Sequence, residues 1–135
     1  MTKRPPADWK ALRELLFTTR AKGMCEVSGQ PLDFETFDLH HRRNKGMGGT
    51  SRPDTDLPSN LLAVDPVVHN GGPRSVHGRR VFSQAQGWLI SKENIFKPVS
   101  VPVFVATGPG LGRWALLDDQ GGRAYLGPVL RLPDE

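Results

Sequence analysis

A single cysteine, Cys25, excludes an internal disulfide and suits a reducing compartment. It also excludes a four-cysteine zinc knuckle, which makes a zinc-finger-like DNA reader a poor reading. No apolar run approaches the length that spans a bilayer. The first residues, Met1-Thr2-Lys3-Arg4-Pro5-Pro6, are charged and lack the apolar stretch of a signal peptide. No segment repeats. These absences point to a soluble, cytoplasmic protein with no membrane partner. Turn formers are plentiful: Gly 15 and Pro 12 make up a fifth of the 135 residues, so much of the backbone is expected in turns and irregular loops. The length suits one domain, and the net charge of +4 suits a polyanionic partner.

The pattern along the chain is mixed α and β. Asp8 is placed to cap a helix over 7–22, in which Trp9, Leu12, Leu15 and Leu16 recur at helical spacing and Gly23 marks the stop. Residues 35–42 read as a strand, with Phe37 and Leu39 on one face and Asp38 and His40 on the other. A Gly- and Pro-rich stretch over 44–59 reads as a compact functional loop, and 60–64 as a second, antiparallel strand. Residues 65–69 are expected to form a corner and 70–73 a turn. A second helix is expected over 73–86, closed by Gly87. From Trp88 onward the texture is β: 88–90, 99–107, 114–117 and 124–126, with glycine-rich turns between them, suggest an antiparallel meander for structure or docking.

One hexapeptide, Asp38-Leu39-His40-His41-Arg42-Arg43, concentrates the chemistry. Two of the four histidines are adjacent there, with an acid before them and two arginines after. Imidazole nitrogens suit Zn²⁺, Ni²⁺ and Mn²⁺, carboxylates extend the choice to Mg²⁺, and guanidinium suits phosphate. Hydrolysis of a phosphodiester needs a base for water and a cation for the departing oxygen, on opposite sides of phosphorus. Neighbouring strand residues also point to opposite sides, so His40 is suited to a metal and His41 to water. Asn60 stands where the loop re-enters the sheet. Its amide is able to bridge backbone groups across the loop, or to lend its oxygen to the metal. His69, just past the second strand, is the best second ligand, with His77 in reserve. Asp38 is either a solvated carboxylate or an orienting partner of His40. Cys25 reads as a buried filler and Asp65 as a turn residue.

In order and approximate spacing, His41, Asn60 and His69 resemble the HNH endonucleases, the ββα-metal nucleases. The strings Asp38-Leu39-His40-His41-Arg42, Asn60-Leu61-Leu62-Ala63-Val64 and Val76-His77, with Gly87 beyond, resemble HNH proteins of tailed bacteriophages. The resemblance covers about 24–91. It implies an α+β fold in one domain over 1–135: an N-terminal arm and helix (1–23), a ββα-metal core (24–91) and a β extension (92–135). It implies a DNA endonuclease with His41 as general base, Asn60 steadying the loop, and one divalent ion held by His40 and His69 or His77. Arg42, Arg43, Lys45, Arg79 and Arg80 are the expected DNA contacts. Many phage relatives carry two CxxC pairs. Here Ser28 stands where the second cysteine of the pair begun by Cys25 would be, and Asp65 and Asn70 stand where cysteines are expected, so no structural zinc is expected. The implied partners are DNA and phage packaging (terminase) proteins, with the chain a monomer or weak dimer in the cytoplasm of a bacterial host. The competing reading is a non-catalytic DNA-binding or packaging-motor accessory on the same frame.

Overall fold

The computed structural model describes residues 7–44 and 52–133. Asp8 accepts from the Ala11 amide and opens helix α1, Trp9–Leu15, which runs on through a π-helical turn, Leu16–Arg20. Only Leu16 and Arg20 of this stretch are buried, so the helix rides on the domain by its last turn. Lys22 and Gly23 adopt left-handed backbone and reverse the chain.

Strand β1, Asp38–His41, pairs antiparallel with β2, Leu61–Val64, with His40 opposite Leu62 and Asp38 opposite Val64. β2 is buried throughout and follows a 3₁₀ turn, Pro58–Asn60. The expected strand over 35–42 is therefore shorter at both ends. Phe37 sits in a small apolar cluster with Ala21 and Ala63, against which Phe17 and Leu39 pack. Arg42 leaves the ladder to reach into the interior.

The second helix departs most from expectation. The corner after β2 is itself a helix, α2, Pro66–Asn70, whose N-cap Asp65 accepts from Val67 and Val68. The helix expected over 73–86 is only α3, Arg80–Ala85. The physical reason lies in α2's own free carbonyls. The Val76 amide donates to Val68 O (2.8 Å) and the His77 amide to His69 O (3.2 Å), so this segment closes α2 instead of coiling on itself. Gly78 permits the fold-back, since a Cβ there would lie 2.1 Å from the Gly72 carbonyl oxygen. His77 is thereby laid beside His69.

The C-terminal sheet is antiparallel: β3, Val103–Gly108, pairs with β4, Leu111–Leu117, whose other side carries both β5, Arg123–Tyr125, and β6, Leu130–Arg131. The stretch 88–90 is no strand; only Ile90 makes a bridge, to Arg43. The expected strand over 99–107 begins as a 3₁₀ turn, Pro98–Ser100, before β3. The meander is continuous with the rest of the molecule. Val103, Val105, Ala115 and Leu117 share one apolar core with Cys25, Val27, Leu62, Val64, Val76 and Trp88. The architecture is α+β with antiparallel sheets. No described helix is long and apolar enough to cross a membrane.

A candidate metal centre built from three histidines

Period-two alternation on β1 sends Asp38 and His40 to the side where α2 and the following turn deliver His69 and His77. The ring centroids lie 4.9 Å (His40–His69), 5.1 Å (His40–His77) and 4.8 Å (His69–His77) apart. One nitrogen from each ring falls within 4.8 Å of the other two, close enough for a shared ion.

Each ring is set by what surrounds it. His40 Nε2 lies 2.6 Å from the Trp88 carbonyl oxygen, which only accepts, so Nε2 carries the proton and the lone pair is on Nδ1. Trp88 is in turn anchored by its indole N–H on Phe104 O at 2.8 Å. His69 Nδ1 lies 2.9 Å from Asp38 Oδ2, which leaves the lone pair on Nε2. Such carbonyl and carboxylate partners are what orient a metal-binding imidazole. Asp38 thus orients His69 and not His40.

His69 Nε2 and His77 Nε2 are 3.1 Å apart. Without an ion, His77 donates its proton to His69. An ion would take the place of that proton, and two imidazole nitrogens held tetrahedrally on a zinc-sized ion stand about 3.3 Å apart. Burial drives the His40 pKa down to about 3; the Trp88 carbonyl pulls the other way, and His69, His77 and His41 add to the fall. Burial, His69 and Arg80 also lower the His77 pKa. Three imidazoles in this arrangement fit a borderline divalent cation that displaces the His77 Nε2 proton.

His41 projects to the opposite side of the strand. Its Nε2 lies 2.8 Å from Asp56 Oδ1, and its ring meets Trp9 edge-on at 5.7 Å. Asn60 is fully buried. Its side-chain oxygen accepts from the Arg43 amide (2.8 Å), and its NH₂ donates to Arg43 O (3.2 Å) and Thr55 O (2.8 Å). It is thus a backbone clamp between the end of β1 and the loop, and its amide oxygen is engaged there.

The expected DNA contacts divide. Arg42 is wholly buried, its guanidinium donating to the carbonyls of Gly87, Ser59, Pro98 and Val101. Arg43 is 5% exposed and donates to Asn94 O and Phe96 O. Arg42 is closed off from solvent by loop carbonyls, which corrects that expectation, whereas Arg43 is held by loop carbonyls at the edge of a cleft, with Arg52 and Lys92. Arg79 is half-buried, with its guanidinium carbon 4.4 Å from the Phe82 ring centroid. Arg80 is exposed and lines a cleft of about 340 Å³ with His77, Asn44 and Lys92. Lys45 lies outside the described residues.

Sequence reasoning did not find Asp56, Lys92 or the Trp88 carbonyl. Asp56 sits in an aperiodic loop, and a backbone carbonyl leaves no signature in side-chain pattern. Neither family models, curated proteins nor solved structures match this chain.

Proposed function

We propose that this chain is a divalent-metal-dependent endonuclease of the HNH type that hydrolyses DNA phosphodiester bonds. The observation that carries this reading is the convergence of His40, His69 and His77 on one side of β1, with His41 on the other. His40, through Nδ1, and His69 and His77, through Nε2, would hold the ion. When bound, that ion supplies Lewis-acid stabilisation of charge on the phosphate and on the leaving 3′ oxygen. An all-imidazole donor set favours Zn²⁺, Ni²⁺ or Mn²⁺ over Mg²⁺, which prefers oxygen.

The remaining roles belong to the chain's own groups. His41 accepts the proton of the attacking water, on the strand face opposite His40. Asn60 holds the strand end and the loop at one separation, so the base does not drift. Arg80 and Lys92, at the cleft beside His77, meet flanking phosphates and exclude competing orientations of the backbone. The ββα-metal core is the framework this reading assigns to β1, β2 and α2.

Plasmid incubated with Zn²⁺, Ni²⁺, Mn²⁺ or Mg²⁺ tests it. Wild type is expected to cut, and His41→Ala to lose about 100-fold or more in rate while still binding DNA. Equal residual cutting by wild type and His41→Ala would sink the assignment. DNA binding with no cutting under any of these ions would favour the accessory module.

A further inference from the structure

The contact between His41 and Asp56 has a built character. The two side chains are only 19% and 11% exposed and meet at 2.8 Å. Trp9 closes one edge of the imidazole. Asp56 stands in a short turn with its own hydrogen bonds: the Leu57 amide reaches Asp54 O (3.3 Å) and the Asn60 amide reaches Leu57 O (2.9 Å). Its neighbour Thr55 is buried and offers its carbonyl to the Asn60 side chain. That same side chain grips both backbone groups of Arg43, two residues beyond His41. One amide therefore fixes the strand that carries His41 and the turn that carries Asp56.

We propose that Asp56 is a positioning residue for His41. This rests on the reading of His41 as general base. A carboxylate only accepts, so it selects the Nε2–H tautomer and places the basic lone pair on Nδ1. In the reaction, water gives its proton to Nδ1 while its oxygen bonds to phosphorus and the 3′ oxygen departs. The Asp56 carboxylate faces the imidazolium that forms. An asparagine of the same shape both donates and accepts, so it selects neither tautomer. A glutamate keeps the charge with one more methylene of reach.

The experiment compares wild type, Asp56→Asn and Asp56→Glu, all zinc-loaded, in steady-state cleavage of DNA and in ¹⁵N NMR of the His41 ring. Asp56→Asn is expected to lower kcat by about 100-fold with KM within about twofold, and Asp56→Glu to recover at least about tenfold of that loss. The His41 ring is expected as Nε2–H in wild type and as a mixture of tautomers in Asp56→Asn. Two results overturn the proposal: an Asp56→Asn kcat within about threefold of wild type, or a lowered kcat with the tautomer unchanged. The second would mean that Asp56 acts through stability alone. Failure of the nuclease reading shows separately, as wild-type protein that cuts under no ion.

Discussion

The Glu26 cluster and the histidine cluster both carry ionisable groups below the surface, and they resolve the desolvation in opposite ways. Around Glu26 every carboxylate oxygen is matched. Arg20 donates to both oxygens (2.9 and 2.8 Å), Arg123 reaches one at 2.8 Å, and the Ala63 amide bonds the other at 2.9 Å. Burial alone pushes that carboxyl up, but the two arginines and the hydrogen bonds outweigh it and hold its pKa at about 2. Around His40 no opposite charge among the described residues compensates. The ring stays neutral, and it packs beside two other imidazoles within reach of one shared ion. A saturated carboxylate fixes elements: this one joins the π-helical turn, β2 and β5. Three imidazoles side by side can instead exchange a shared proton for a guest ion. Burial of charge therefore does not by itself mark a site; what sets the histidine cluster apart is three imidazole nitrogens close enough to share one ion.

The largest test breaks the saturated side. Glu26→Gln leaves buried Arg20 and half-buried Arg123 without their counter-charge, and denaturant unfolding is expected to show a loss of about 3–5 kcal/mol. A loss under about 1 kcal/mol would mean that the three groups do not act together.

Acid should separate the two clusters next. For His40 the folded pKa, about 3, lies below its ordinary 6.5, so its contribution is complete above pH 6.5 and declines as pH falls toward 3. For Glu26 the folded pKa, about 2, lies below 4.5, so its contribution is lost only as pH falls from 4.5 toward 2. Stability measured against pH should fall in two overlapping stages, the upper worth roughly 5 kcal/mol at most. His40→Gln should flatten the upper stage and spare the lower. A single decline confined to the region below pH 4.5 would contradict the buried neutral imidazole.

The smallest effect concerns the guest. Zn²⁺ at a hundred times its dissociation constant should raise stability by about 2.7 kcal/mol, and chelation should reverse it. His69→Ala or His77→Ala should abolish the gain, while Glu26→Gln should keep it on a lowered baseline. Melting curves that Zn²⁺ leaves unchanged would show three imidazoles packed together for structure alone.

Legibility followed the range of the interactions. The shared direction of Asp38 and His40 was readable because strand alternation is local. The bridging amide of Asn60 was readable because it sits at a loop's re-entry. The fate of Arg42 and Arg43 was not, since two arginines after a histidine pair look alike whether they face phosphate or loop carbonyls from 59 and 87–101. The helix over 73–86 failed for the same kind of reason. Its apolar spacing was helical, but the Val76 and His77 amides found better acceptors at the end of α2.

By itself the sequence determined the mixed α and β pattern, the caps at Asp8 and Gly23, the face that Asp38 and His40 share, and the small set of groups able to hold an ion. These depend on backbone periodicity and side-chain chemistry within a few residues. Only the tertiary structure decided that His77 joins His69, that Asp38 turns His69 rather than His40, that Asp56 meets His41, and that the arginines go inside. Each of those depends on which distant backbone donors and acceptors are left over once the local hydrogen bonds have formed, and that remainder exists only in the folded chain.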